Sequence, residues 1–301
     1  MDRTELFKMK HELWLEYIYT GVAVENALIK STLSSFARTY FLHLKWLGTA
    51  IMESIENTDY ENDEGTLFIP KMFSIERESL AFEGDNEYSL LFQLETRNTK
   101  IMKLYDTLNM TDPTLIRMKH DDAFFLKRLR RLKTNASKIP LPAFDENSIE
   151  RKREFAMNDV MYQNLRQTLQ KQAQKEYITV MSTFYIYIHS FNAQPKIASI
   201  LLDLIRESTA HMKYYAKLMA YMGMIALPKP LAKGECDTCT LKDFIDKSIK
   251  DEIQEMSDLH KEAKVLGNTQ FNELAEFIAH QEQYHIHLLK TAQKLLENKT
   301  S

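Results

Sequence analysis

The stretch FIAHQEQYHIHLL, residues 277–289, decides how this chain is read. Its apolar stripe runs Ile278, Glu282, His285, Leu289, the three- and four-residue intervals of one helix face. A carboxylate and an imidazole therefore stand where core side chains belong. The same interruption recurs on three other predicted helices. One stripe runs Ile200, Leu204, Glu207, His211, Tyr215, Leu218, and another Ile245, Ile249, Glu252, Met256, Leu259, with Glu255 beside it. The last runs Leu165, Leu169, Glu176, Val180, Tyr187, on a segment that is apolar almost all round, as in a central helix. A buried, ionised carboxylate without a partner is costly, so four directed at one another require cations.

Their heights agree. In an antiparallel helix pair, residues equidistant from the turn lie at one level. The midpoint of Glu176 and Glu207 falls between residues 191 and 192, inside the break FNAQPK (191–196), and that of Glu252 and Glu282 falls on Gly267. Both pairs centre on their own turns, which sets the four glutamates about 22 Å from them at about 1.5 Å per residue.

Working outward, apolar residues recur at helical spacing almost everywhere. With only 7 Gly and 7 Pro in 301 residues, little interrupts long helices. The expected fold is all-α in two halves: a bundle over 1–135, a linker over 136–148 containing SKIPLPAFDENS, and a four-helix bundle over 149–301. Helices are predicted near 4–20, 25–57, 85–108 and 113–133, with a long irregular passage over 57–84. In the second half they are predicted near 149–191, 197–225, 241–266 and 270–297, with a crossover over 227–239. Thr240 is a plausible N-cap, and Gly267-Asn268 a helix stop.

The halves share the order of two helices, a crossover, two helices, and their sequences rhyme. LWLEYIYT (13–20) resembles QKEYITVM (174–181), YFLHLKWLG (40–48) resembles TAHMKYYAKL (209–218), and RMKHDDAFFL (117–126) resembles FIAHQEQYHIHLL. A duplicated bundle is the simplest account. In the first half Glu12 or Glu16, His43, Glu95, His120 and Asp122 fall near the matching places. Thr39 stands where Glu207 would be, however, and Phe125 where His285 would be. That half reads as a degenerate copy without a metal pair.

One Glu from each of two helices plus Glu-x-x-His from each of the others is a known bundle pattern. On these residues the second half resembles the ferritin-like superfamily of di-iron carboxylate proteins, rubrerythrin most of all. Glu282-Gln-Tyr-His285 matches the Glu-x-x-His element, and Glu252-Ile-Gln-Glu255 is similar to rubrerythrin's doubled glutamate. Glu207 and His211 depart from the pattern, being four apart rather than three. The resemblance implies a ferritin-like fold in which Glu176, Glu207, Glu252 and Glu282 bind or bridge two metals. It gives His211 and His285 as terminal ligands and Glu255 as a movable one. Carboxylates with two imidazoles suit two Fe (or Mn) ions better than zinc or calcium. The implied activity is a reaction with dioxygen or peroxide, of ferroxidase, peroxidase or oxygenase type. Rubrerythrin's four-cysteine rubredoxin-like iron centre has no counterpart here, so electrons would come from a donor protein.

Other features point elsewhere only weakly. Net charge is -3, which calls for neither nucleic acid nor an anionic membrane. The basic run KRLRRLK (127–133) reads as a solvated helix end. No run of 18 apolar residues and no signal-peptide core is visible, so a cytoplasmic protein is expected. Cys236 and Cys239 form a lone C-x-x-C, readable as half of a site shared across a homodimer or as a redox pair near the metals. Tyr177, Tyr185, Tyr214, Tyr215 and Tyr284 read as core residues or as an electron relay. His189, His280 and His287 read as structural. The rival expectation is a non-catalytic helical interaction protein that kept the bundle and lost its metal. A three-histidine zinc bundle fits less well with so many core carboxylates.

Overall fold

The computed structural model describes residues 3–56, 80–108, 110–155, 158–190, 194–231 and 240–300. Among them the chain is all-helical, with no strand beyond one isolated bridge between Asn86 and Pro140. Among the described residues no helix is long and apolar enough to cross a membrane. Cys236 and Cys239, and most of the passage 57–84, lie outside the described residues.

The chain divides into two compact units. The first comprises the described residues of 1–58, 75–148 and 216–230, and the second those of 149–215 and 231–301. In the first, α1 (Arg3–Ala23) packs on α2 (Ala27–Glu56), and α3 (Glu87–Tyr105) on α4 (Pro113–Thr134). Asn86 closes a capping box with Ser89, and Asp112 caps α4 ahead of Pro113. The expected linker belongs to this unit. Leu141 N–H donates to Asp85 O at 2.7 Å, Leu141 and Ala143 are buried, and Pro142–Phe144 makes one 3-10 turn.

In the second unit the expected helix over 149–191 is two helices, α5 (Ile149–Glu154) and α6 (Asp159–Ser190). The cause is local. Asn158 accepts the Met161 N–H at 2.9 Å as an N-cap, while Phe155 turns inward against Tyr162. The helix expected to run to 225 is α7 (Pro195–Tyr221); Gly223, at φ 78, takes the left-handed conformation that ends it. Then α8 (Leu241–Leu266) begins at the Thr240 capping box and stops at Gly267, φ 59. It turns directly into α9 (Thr269–Thr300), whose N-cap Asn268 accepts the Phe271 N–H. This α8–α9 hairpin packs on α6 through α8, and Tyr214 of α7 meets Phe277 of α9 edge to face.

Candidate metal centre

Four helices deliver the centre of the second unit. Glu176 comes from α6, Glu207 and His211 from α7, Glu252 and Glu255 from α8, and Gln281, Glu282 and His285 from α9. Glu176, His211, Glu252, Glu282 and His285 are buried. Glu282 divides itself between the two imidazoles: its Oε1 lies 3.2 Å from His211 Nδ1 and its Oε2 2.8 Å from His285 Nδ1. Glu176 Oε1 lies 3.0 Å from His211 Nδ1, and Glu252 Oε1 3.6 Å from His285 Nδ1. Two groups result, Glu176–His211–Glu282 and Glu252–Glu282–His285, each with ligand atoms within 4.8 Å of one another. The two imidazole rings stack with centroids 5.3 Å apart.

The other ring nitrogens are held from outside. His211 Nε2 lies 2.7 Å from Gln281 Oε1, and His285 Nε2 lies 3.1 Å from Glu207 Oε2. An Nε2–H donated outward leaves each Nδ1 aimed at the acids, which is how outer partners orient metal-binding imidazoles. Glu207 thus lies on the far nitrogen of His285 with its side chain part exposed, and joins neither ligand group. The four-residue step from Glu207 to His211 keeps both on one face of α7 but sets them a full turn apart. Gln281 went unnoticed in the sequence; the available signal was its place immediately before Glu282, matched by Asp121 before Asp122.

With only protons to balance the carboxylates, the charges sort themselves. Burial opposes charge on both imidazoles, yet the facing glutamates outweigh it and raise His211 to about 11 and His285 to about 10. Burial raises Glu176, and it raises Glu252 well above the usual range, where Glu252 donates a hydrogen bond to Glu282. Burial also pushes Glu282 up, but hydrogen bonds from Glu252, His211 and His285 prevail and hold it below the usual carboxylate range. Glu255 is pushed up to about 8 by burial and by the charges of Glu176 and Glu282. Its Oε1 is shut from solvent and has no hydrogen-bond partner. The Tyr215 hydroxyl, one turn past His211, is likewise buried without one. Tyr284 is half exposed and stacks on His287.

In the first unit the expected residues disperse. His120 is exposed. Glu95 pairs with Arg130 and Lys133, and Glu12 with Arg97 at 3.5 Å. Glu16 is buried beside Arg97 and Gln93, and burial pushes its carboxyl up to about 7. Phe125 stacks on Phe36, with ring centroids 4.0 Å apart. Only His43 and Asp122 converge, and they do so around the fully buried Lys10. Lys10 Nζ lies 2.6 Å from Asp122 Oδ2, 3.0 Å from His43 Nδ1 and 4.3 Å from the centre of the Tyr40 ring.

No protein family, no curated protein and no solved structure matches this chain.

Proposed function

We propose that the second unit is a ferritin-like four-helix bundle that binds two ions of iron or manganese and reacts with dioxygen or peroxide. One observation carries the reading: a single buried carboxylate, Glu282, offers one oxygen to each of two imidazole Nδ1 atoms. Glu176, His211 and Glu282 would hold one ion, and Glu252, His285 and Glu282 the other, with Glu282 bridging. The donors fit such ions, being hard carboxylate oxygens with one imidazole for each seat. The orphaned Glu255 Oε1 fits too, because a buried carboxylate oxygen with no donor lacks only a cation.

Two such ions, when bound, supply the electrons that reduce dioxygen or peroxide. The chain's own residues do the rest. Gln281 and Glu207 hold the imidazoles in one tautomer, and Glu255, raised by burial and by the charges of Glu176 and Glu282 while the site is metal-free, gives up its proton as cations enter. The buried Tyr215 and Val180 help to exclude water. Reducing electrons would come from a donor outside the bundle.

A second reading rests on a different observation. Protonated imidazoles and glutamates already pair with one another here, so the cluster could serve as a self-contained core in a non-catalytic helical protein. Anaerobic loading with ferrous iron, followed by dioxygen or peroxide under an optical spectrometer, separates the two. The metalloprotein reading predicts oxidant consumption and a new near-ultraviolet band that track protein concentration. Oxidation no faster than that of free ferrous ion contradicts it.

A further inference from the structure

Among the described residues Lys10 is the one lysine of the buried core, and neither the fold nor the proposed chemistry of the second unit uses it. Its surroundings parallel part of the metal centre, in the placement of one histidine and of the acid and its preceding residue on the last helix. Lys10 lies 13 residues before the end of α1 at Ala23, and Glu176 lies 14 before the end of α6 at Ser190. His43 and His211 each lie 16 residues past the first residue of their helices, Ala27 and Pro195. His43 gives its Nε2 to Asp121 Oδ2 at 3.2 Å, and His211 gives its Nε2 to Gln281 Oε1 at 2.7 Å; in each case the partner directly precedes the buried acid, Asp122 or Glu282. In each case, too, the histidine Nδ1 faces inward. In the second unit it meets Glu176 and Glu282, and in the first it meets the nitrogen of Lys10, which itself sits on Asp122.

We propose that the first unit is a metal site in which the Lys10 side chain has taken the place of both a carboxylate ligand and the cation. The contacts are those of an ammonium. Asp122 Oδ2, His43 Nδ1 and the face of Tyr40 suit the three N–H bonds of an ammonium, and burial, which lowers the pKa of Lys10, is opposed by the charges of Asp122 and Asp121. The cluster also has an acceptor to spare. Asp122 takes Lys10 and the Tyr105 hydroxyl on Oδ2, while its buried Oδ1 has no hydrogen-bond partner. Where the second unit has His285, Phe125 fills the space against Phe36 and Tyr40, so one seat of the pair is closed by an aromatic ring and the other by an ammonium. The chain therefore binds two metal ions rather than four, and its first unit keeps its charge balance with no metal at all. This inference rests on the reading of the second unit as a cation site.

The test is to open the seat. In a Glu282→Ala background, which removes the bridging acid of the second unit, Lys10→Glu supplies the carboxylate that completes a Glu–His–Asp set with His43 and Asp122. Dialysis against manganese(II), with metal analysis of the full-length chain, is expected to give close to one ion per chain where Glu282→Ala alone gives none. The Lys10→Glu chain should also melt higher with manganese than without. A folded double variant that binds no more manganese than Glu282→Ala overturns the proposal. Should that variant fail to fold, melting of Lys10→Met against Lys10→Met/Asp122→Asn decides. The single variant is expected to lose several degrees and the double to recover most of them; an unchanged midpoint for Lys10→Met overturns the proposal. If the unmodified chain takes up no metal, the reading of the second unit fails, and the melting comparison still judges Lys10.

Discussion

At the scale of single residues, the centre depends on which nitrogen of each imidazole faces inward. Gln281 sets this for His211, so Gln281→Leu should weaken metal binding by about 10- to 100-fold while leaving the helix content unchanged. Competition titration against a chelator of known affinity measures it. Protons compete for the same seats. Because metal-free His211 and His285 are raised to about 11 and about 10, binding at neutral pH must release protons, and affinity should rise with pH. Calorimetric titration in two buffers of different ionisation enthalpy counts those protons; a count of zero contradicts the assignment. The same shifts fix the sign of metal-free stability. A group raised in the folded state stabilises it fully below its unfolded value and loses that contribution as pH rises. Glu255 therefore withdraws stability between about 4.5 and 8, and the histidines from about 6.5 up to 10 or 11. Metal-free denaturation midpoints should fall across that window. Glu282 and His285 were legible in the sequence because an ionisable pair at a three-residue step interrupts an apolar stripe. Gln281 was not, since an uncharged amide on a helix carries no such contradiction. Glu207 was half legible: its face could be read, but not which nitrogen of His285 it would meet.

At the scale of elements, the caps were the legible part. Thr240 and Gly267 bound α8 where their chemistry says they should. The turn from α8 to α9 sets the heights of Glu252 and Glu282, and Gly267 makes it with φ 59 and open space around an added Cβ. Gly267→Ala should therefore cost only the left-handed backbone strain, about 1–2 kcal/mol, readable by chemical denaturation. What escaped the sequence was the interruption ahead of α6. Periodicity continues through 149–191, and only the side chain of Asn158 reveals that the helix restarts there. The end of α7 escaped for a similar reason. Met222, Met224 and Ile225 stay buried beyond the helix, so apolar spacing alone runs past Gly223.

At the scale of the whole molecule, two units solve one electrostatic problem in different ways. The first balances its buried acid with a covalently attached ammonium, and the second collects glutamates and two imidazoles that only protons or metal ions can balance. Thermal unfolding should reflect this: manganese or iron should raise the transition of the second unit and leave that of the first in place. Scanning calorimetry with and without metal checks it, and equal shifts in both would speak against the division of roles. The sequence rhyme pairs His43 with His211 and Asp122 with Glu282; both histidines turn Nδ1 inward, but Asp122 meets Lys10 and Tyr105 where Glu282 meets two imidazoles. The rhyme also pairs Glu16 with Glu176, whereas distance from the turn pairs Lys10 with Glu176. The miss has a physical cause, because a lysine with a long apolar stem reads as surface unless the acid that draws it inward is already placed.

If Glu282 bridges two metal ions, the number bound per chain and its dependence on that one carboxylate are both fixed. Anaerobic titration of the full chain with iron(II) or manganese(II), followed by metal analysis after removal of free ions, tests that bridge most directly. Two ions per chain are expected, with the loss of both in Glu282→Ala while helix content is preserved. Absence of bound metal in the unmodified chain, or two ions still held by Glu282→Ala, contradicts it.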